Sequence, residues 1–353
     1  MKPLDIPSGA YQMPAEWDRH EATLLAWPVN EETWPEHRAQ VIDTYLELIR
    51  AICSSEKCLL LSPDCQTSEE IESALDPSNP FDRKQLQIIQ IPYNDSWVRD
   101  TGPIFVRDPD NSLIALDFRF NAWGNKYEPW SDDDQWAKRF CRMFDYPLFS
   151  YDSFVLEGGS IEVNGQGTLL TTRQCLLNRN RNPSLNQQEI EDILKMSLGI
   201  QRILWLDQGI EGDDTDGHID DLARFVDPQR VLTMRAHSKQ DSNYAILENN
   251  FQLLRKMSDQ DGNPLEIIDI PLPDIDLNGP FGRSPASYAN FYLTNRSVLV
   301  PVYGAPNEEG VLSVFRDVFP ERDIRPIDCR ALVCGLGAIH CITQQVPILK
   351  YEG

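Results

Sequence analysis

The stretch Glu157-Gly-Gly-Ser-Ile-Glu-Val163 has two counterparts in the chain, Asp100-Thr-Gly-Pro-Ile-Phe-Val106 and Asp216-Gly-His-Ile-Asp220. In each, acidic and small residues accompany a strand-like segment. The interval is 57 residues from Asp100 to Glu157 and 61 from Glu157 to His218, and Cys341 follows His218 by 123, about twice that interval. Polar groups that return at the same point of a repeated unit predict a circular array around one central site. A doubly wound sheet is the alternative, since it can produce similar spacings.

Helical and strand-like patterns alternate around these stretches. The predicted helices are Glu36–Ile52, Gln66–Leu75 with Ser68 as N-cap, Gln187–Leu198, Asn243–Met257 and Val311–Val318. Short apolar runs predict strands at Cys58–Ser62, Leu86–Ile91, Arg202–Leu206, Leu265–Ile270 and Val298–Tyr303. This alternation predicts the α/β class. Because no linker or low-complexity stretch divides the chain, a single domain over residues 1–353 is expected.

The charge balance restricts the classes of partner. The 353 residues include 55 acidic and 32 basic side chains, which gives a formal charge of −23. Nucleic acids and anionic membranes are therefore disfavoured as partners, because both need clustered Lys and Arg. The excess of acidic side chains either keeps the protein soluble through its net charge or attracts a cationic ligand to a negative site. The sequence contains no run of about 18 apolar residues and no signal-peptide pattern at residues 1–10, so a cytoplasmic location is expected.

The segment around His218 is the first candidate site. If His218 begins an extended segment, residues 216, 218 and 220 share one face, because strand side chains alternate. A non-haem iron site built from His218, Asp220 and His340 is the best metal hypothesis. A solvated acidic turn with a surface histidine is the alternative without a function.

The segment around Cys341 is the second candidate. A nucleophilic thiol needs a base or a positive neighbour, and either His218 or His340 could serve. His340 is the weaker candidate, since adjacent residues of a strand point to opposite faces.

Acids at two further motifs indicate the substrate class. Asp100 lies close to Trp97, and Glu157 is followed by two glycines. A planar guanidinium stays charged and pairs bidentately with carboxylates. Two carboxylates could hold its nitrogens while a thiolate attacks the central carbon and a histidine protonates the leaving ammonia. Water would then cleave the thiouronium intermediate, and neither a metal nor a cofactor is required.

At these residues the sequence resembles the agmatine deiminase family, within the guanidine-modifying group that includes the bacterial type of peptidylarginine deiminase. The resemblance runs along nearly the whole chain in separated blocks that keep the same order. The blocks are Met13-Pro-Ala-Glu-Trp-Asp-Arg-His-Glu21, Leu25-Ala-Trp-Pro28, Asn94-Asp-Ser-Trp-Val-Arg-Asp-Thr-Gly-Pro103, Leu156-Glu-Gly-Gly-Ser-Ile-Glu-Val163, Asn178-Arg-Asn-Arg-Asn-Pro183, Asp213-Asp-Thr-Asp-Gly-His-Ile-Asp220 and Ile339-His-Cys-Ile-Thr-Gln-Gln345.

The resemblance implies a pseudo-fivefold α/β propeller, a pentein-like fold of repeated ββαβ-type units around a central site, and a homodimer or higher homo-oligomer. By motif match, the nucleophile would be Cys341 and the general acid/base His218. Asp100 and Asp220 would hold the guanidinium, Glu157 would orient or charge-balance His218, and Trp97 would line the pocket. The implied reaction converts agmatine and water into N-carbamoylputrescine and ammonia.

One departure from the family pattern bears on the substrate. A Gly-Gly-Gly-Asn run usually precedes Ile-His-Cys, whereas this chain has Gly335-Leu-Gly-Ala338. Deimination of free or peptidyl arginine is therefore the alternative activity. Free arginine would need a cation for its carboxylate, for which Arg99, Arg179 and Arg181 are candidates. A catalytically inactive relative that only binds the ligand is a further alternative.

Overall fold

The computed structural model describes residues 11–75, 78, 81–275, 277–279 and 282–348. The strands are β1 (His20–Ala26), β2 (Lys57–Ser62), β3 (Leu86–Gln90), β4 (Ile104–Arg107), β5 (Leu113–Arg119), β6 (Leu148–Val155), β7 (Ile161–Val163), β8 (Thr168–Thr172), β9 (Arg202–Leu206), β10 (Ala223–Phe225), β11 (Arg230–Arg235), β12 (Glu266–Pro271), β13 (Asn278–Gly279), β14 (Gly282–Arg283), β15 (Tyr292–Leu293), β16 (Ser297–Val302), β17 (Asp323–Asp328) and β18 (Gln344–Pro347). The α-helices are α1 (Arg38–Cys53), α2 (Cys65–Ala74), α3 (Val98–Thr101), α4 (Ala122–Asn125), α5 (Asp133–Met143), α6 (Arg173–Leu176), α7 (Gln187–Leu198), α8 (Tyr244–Leu254) and α9 (Glu308–Val318).

The described strands form several small sheets, and these residues contain no closed barrel. Five sheets share one topology, in which the first strand is antiparallel to the second and the second is parallel to the third. A helix connects the second strand to the third in every case. The sheets are β4-β5-β6, β7-β8-β9, β10-β11-β12, β15-β16-β17 and β18-β1-β2, the last extended by β3, and β13-β14 is a separate hairpin. The doubly wound alternative is wrong, because it requires one continuous sheet.

The predicted elements agree closely with the observed ones. Helix Gln187–Leu198 and strand Arg202–Leu206 have the predicted bounds, and the other predicted helices and strands differ only by a few residues at their ends. At the start of α7, Asn186 and Glu189 form a reciprocal capping box, which fixes the first residue. The predicted N-cap Ser68 is wrong: Asp64 caps α2 by accepting the backbone N–H of Thr67 at 2.7 Å.

Short helical turns, rather than extended segments, precede the first strand of several units. Glu157 leads into a 3-10 turn at Gly158–Ser160, and His218 leads into one at Ile219–Asp221. The prediction that residues 216, 218 and 220 lie on one extended face is therefore wrong. Positive φ angles at Asp216 (67°) and Gly217 (91°) turn the backbone before His218.

The apolar faces of the helices and sheets form the core. In α1, helical spacing predicts an apolar face whose members are buried except for the partly buried Ile42: Val41, Ile42, Tyr45, Leu48, Ile49 and Ile52. Burial of a Val, Leu or Ile side chain contributes about 1.5–3 kcal/mol, so this face alone anchors the helix firmly. Within the described ranges, no helix has both the length and the apolar character needed to cross a bilayer.

Candidate active site

The six predicted site residues lie on the short segments that precede the first strands of four units. Trp97 and Asp100 are at α3 before β4, and Glu157 precedes β7. His218 and Asp220 precede β10, and Cys341 precedes β18. All six are buried, with relative exposures of 0–6%: Trp97, Asp100, Glu157, His218, Asp220 and Cys341. The repeated position explains why residues far apart in sequence come together.

Gly159 lies between three of these side chains. A Cβ atom at this position would be 2.6 Å from Nδ1 of His218, 2.8 Å from Oδ1 of Asp100 and 3.0 Å from Oδ2 of Asp220. The Gly159 N–H also donates to Oδ1 of Asp100 at 3.0 Å. The sequence therefore needs glycine here so that the histidine and the two carboxylates can approach one another.

If the side chains around Gly159 carry out the deimination that the sequence resemblance implies, Gly159→Ala should reduce kcat/KM for agmatine by about 100-fold, because displacing reacting groups by about 1 Å has effects of that size. The measurement is steady-state kinetics of the purified variant. Gly310→Ala is a matched control, since a Cβ there meets nothing within 4 Å. Equal losses in the two variants would contradict the assignment of Gly159 to the site.

Asp100 and Asp220 are buried carboxylates. Asp100 Oδ2 accepts the indole N–H of Trp123 at 2.9 Å. Burial, followed by repulsion from Glu157, raises the pKa of Asp100 to about 7. Burial and then Asp100 raise the pKa of Asp220 well above its usual range. Oδ1 of Asp220 is buried without a hydrogen-bond partner, so a negative charge on this carboxylate lacks a donor at that oxygen.

Cys341 is next to Asp220 and lies against an unpredicted residue. Its sulfur is 3.8 Å from Oδ2 of Asp220 and accepts an N–H from the side chain of Asn290 at 3.1 Å. Burial, then Asp220, Asp221 and Asp100, raise the pKa of the thiol well above its ordinary value. A cation placed among these carboxylates would oppose that shift.

His218 has two free ring nitrogens in this arrangement. Both are buried without a hydrogen-bond partner, and Nδ1 is 3.7 Å from Oδ1 of Asp100. Burial, followed by repulsion from Arg181, lowers the pKa of His218 well below its usual range. The imidazole is therefore neutral and available to accept a proton.

Glu157 has one oxygen paired and one unpaired. Its Oε1 accepts from Nε of Arg181 at 2.6 Å, and Oε2 is buried without a hydrogen-bond partner. The carboxylate belongs, with Cys175 and His218, to a group whose ligand-type atoms all lie within 4.8 Å of one another. Glu157 is thus near His218, and its orienting role stays a prediction. Its partner Arg181 was not predicted for this position.

The iron hypothesis receives no support from the geometry. His218, Asp220 and His340 are not among the described groups whose ligand-type atoms all lie within 4.8 Å of one another. Both nitrogens of His340 are engaged, Nδ1 with Oδ2 of Asp220 at 2.7 Å and Nε2 with Oε2 of Glu16 at 2.8 Å. His340 therefore supports Asp220 and is not turned towards a shared metal position.

Glu16 is buried next to the site and contacts both His340 and Arg224. Its Oε2 is 2.8 Å from both Nε2 of His340 and Nη2 of Arg224. Burial raises the pKa of Glu16, but the opposing effects of Arg224 and His340 outweigh burial and bring the pKa well below its ordinary value. Glu16 lies in one of the family-like blocks, but nothing in its local pattern indicated contacts with residues 224 and 340.

The arginines considered as partners for a substrate carboxylate are already engaged or exposed. Arg99 is buried, donates to Oε1 of Gln345 at 2.8 Å and lies 3.5 Å from Glu16. Arg181 is paired with Glu157 and with Asp216. Arg179 is exposed.

A cavity of about 580 Å³ leads to Asp100 and Cys341. Aromatic and acidic side chains dominate its wall, and the described lining residues include no Lys, Arg or His. The aromatic members are Trp97, Phe120, Trp123, Tyr127 and Trp130, and the acidic members are Glu31, Glu32, Asp95, Asp100, Glu128, Asp133 and Asp214. An elongated cation fits this combination of charge and apolar surface.

The family of the chain follows from comparison with known proteins. The model of the Porphyromonas-type peptidyl-arginine deiminases matches residues 12–347. This chain belongs to that family. It is also 36% identical over 358 residues to the agmatine deiminase of Stutzerimonas stutzeri (strain A1501), which covers 96% of this chain and 95% of that protein.

Solved structures agree with this membership. The agmatine deiminase of Enterococcus faecalis is 32% identical and superposes with a TM-score of 0.89 over 96% of each chain. A cysteine-to-serine variant of C. jejuni agmatine deiminase with substrate bound is 32% identical, with a TM-score of 0.86 over 96% of each chain. The resemblance inferred from the sequence blocks is confirmed.

Proposed function

We propose that this protein hydrolyses agmatine to N-carbamoylputrescine and ammonia through a covalent intermediate on Cys341. The observation that carries the proposal is the convergence of Asp100, His218 and Asp220 around Gly159, with the Cys341 sulfur 3.8 Å from Asp220. The similarity to agmatine deiminases over 96% of the chain supports the same activity. No cofactor and no metal take part in the proposed reaction.

The first half of the reaction forms a bond between sulfur and carbon. Asp100 and Asp220 hold the guanidinium, whose positive charge favours the thiolate of Cys341. The thiol proton passes to the neutral His218, and the resulting thiolate attacks the central carbon. His218 then gives that proton to one amino group of the tetrahedral adduct, which leaves as ammonia. The product of this half is a thiouronium on Cys341. Trp97 lines the pocket beside the substrate.

In the second half of the reaction His218 acts as a base instead of an acid. A water molecule gives a proton to His218 and attacks the thiouronium carbon, and the carbon–sulfur bond then breaks. This releases the ureido product once its new oxygen has lost its remaining proton. Of that proton and the one on His218, one returns to the Cys341 sulfur and the other converts ammonia into ammonium. Glu157, which lies near His218 and is paired with Arg181, orients or charge-balances the imidazole between the two halves.

The cavity wall supports agmatine over free arginine. Agmatine ends in an ammonium, which the acidic wall would attract, whereas arginine carries a carboxylate beside its amine. Arg99 and Arg181 are both paired with buried carboxylates and therefore unavailable for that group. Leu336, from the segment that departs from the family pattern, lines the same cavity, so this departure lies where it can affect the substrate stem.

Ammonia release from agmatine, free arginine and a peptidyl-arginine ester at pH 7 to 9 tests the proposal. We expect kcat/KM for agmatine to exceed that for free arginine by at least about 100-fold, since an unpaired buried carboxylate costs several kcal/mol. A preference for either arginine substrate would move the assignment to that substrate. No ammonia from any of the three would refute the deiminase function.

The pH dependence of kcat/KM should reflect Asp100. Its carboxylate must be ionised to bind the guanidinium, and its pKa is raised to about 7. We therefore expect kcat/KM to fall as the pH drops below about 7, by up to about tenfold per pH unit. Asp117→Asn is the control, because burial also raises the pKa of Asp117, to about 6, while that residue pairs with Lys138 outside the cavity. A profile that is flat down to pH 5 in the unaltered enzyme would contradict the role of Asp100.

We further propose that the five sheets of common topology are arranged as a pseudo-fivefold, pentein-like propeller within a single domain spanning 1–353. Their shared connectivity and the repeated position of the site segments support this arrangement. Superposing successive units in a crystal structure, with rotations near one fifth of a turn, tests it. A cytoplasmic homo-oligomer is proposed as well, and sedimentation of the purified protein measures its subunit number.

A further inference from the structure

Asn290 occupies, in the fifth unit, the position that the predicted site residues occupy in the other four units. It immediately precedes Phe291 and the first strand of its unit, β15, and it is fully buried. The sequence of this region, Ser287-Tyr-Ala-Asn290, contains no acid, histidine or cysteine, which explains why it gave no signal of chemistry.

The side chain of Asn290 makes four hydrogen bonds around the nucleophile. Nδ2 donates to the sulfur of Cys341 at 3.1 Å and to Oδ1 of Asp221 at 2.9 Å. Oδ1 accepts the backbone N–H groups of His340 at 2.9 Å and Cys341 at 3.4 Å. The orientation of the amide is fixed, because only an oxygen can accept two N–H groups and only a nitrogen can donate to a carboxylate.

We propose that Asn290 is a further catalytic residue, whose amide holds the sulfur of Cys341 in place and stabilises its thiolate by donating a hydrogen bond. An N–H donor interacts more strongly with an anionic sulfur than with a neutral thiol. The donor matters here because Asp220 and Asp221 both disfavour negative charge on Cys341. Asn290 contacts the reacting atom directly and also fixes the backbone that carries it.

This inference rests on the proposed role of Cys341, but its test requires no substrate. The rate of alkylation of Cys341 by iodoacetamide is measured from pH 6 to 10.5, and mass spectrometry of its peptide separates it from the exposed Cys65. Since Cys341 lines the cavity, the reagent can reach it. We expect Asn290→Leu, which keeps the branching of the side chain and removes the N–H donor, to slow alkylation about tenfold at a fixed pH, equivalent to one pKa unit.

Two comparisons separate this role from a structural one. Ser287→Ala disturbs the same loop, where Ser287 donates to the backbone of Asp221 at 2.7 Å, but leaves the donor to sulfur intact. It should keep the alkylation profile of the unaltered protein. Asn290→Ala provides a second variant in case the leucine variant does not fold.

Asn290 could also affect Cys341 indirectly, because it donates to Asp221, whose charge raises the pKa of the thiol. A double-mutant cycle with Asp221→Asn removes this indirect effect. The Asn290 substitution should still slow alkylation in the Asp221→Asn background. Unchanged alkylation in both Asn290 variants, or an effect that vanishes in that background, would overturn the proposal. Absence of deiminase activity with a shifted alkylation profile would instead refute only the proposed function.

Discussion

Replacing Cys341 with serine is expected to abolish ammonia release from agmatine, lowering kcat by about 10⁴-fold or more. A serine hydroxyl is a far weaker nucleophile than a thiolate at neutral pH, and the neighbouring carboxylates would disfavour an alkoxide even more than they disfavour the thiolate. The substrate-binding carboxylates are unchanged, so agmatine should still bind. Steady-state kinetics and equilibrium binding of agmatine measure the two effects separately.

Cys334→Ser is the matched control for this variant. Cys334 is another buried thiol of the same segment, and its sulfur contacts the backbone oxygen of Arg330 at 3.3 Å instead of the site carboxylates. It should retain nearly all activity. If the Cys341 variant turned over agmatine at a substantial rate, the covalent mechanism would have to be abandoned.

Asp220→Asn is expected to have the second largest effect, a fall in kcat/KM of about 10²- to 10⁴-fold. The estimate follows from the cost of breaking a buried ion pair, about 3–5 kcal/mol. Although the variant should lose activity, its Cys341 thiol should become more reactive. After burial, Asp220 is the largest cause that raises the pKa of Cys341, so the asparagine should make the thiol easier to ionise.

Alkylation of Cys341 therefore gives the decisive second measurement on Asp220→Asn. We expect faster alkylation at a fixed pH together with nearly complete loss of activity. Asp117→Asn, a buried carboxylate paired with Lys138, should change neither quantity. An Asp220 variant with normal kcat/KM would show that this carboxylate does not hold the guanidinium.

Local sequence patterns predicted most of the regular structure. Helix α7 is predictable to the residue because apolar spacing, the Asn186 cap and a left-handed Gly199 all act within a few positions. The recurrence of acids at intervals of about 60 residues likewise indicated that Asp100, Glu157 and Asp220 would converge. Repeated units place equivalent positions at one centre, so spacing alone carries that information.

Other features depend on contacts that no local pattern encodes. Residues 216–220 looked extended, but Asp216 adopts a positive φ and pairs with Arg181, which lies 35 positions away. Glu16 and Asn290 reach the site through partners separated by 324 and 51 positions. Both residue types are also common in turns and on surfaces, so only the folded arrangement distinguishes them.

Covalent catalysis by Cys341 is tested most directly by acid quenching of the enzyme during turnover of agmatine, followed by mass spectrometry of its peptides. We expect an adduct with the mass of agmatine minus ammonia on the peptide that contains Cys341, absent from Cys341→Ser and unchanged in Cys334→Ser. An adduct on a different residue, or ammonia release that persists in Cys341→Ser, would contradict it.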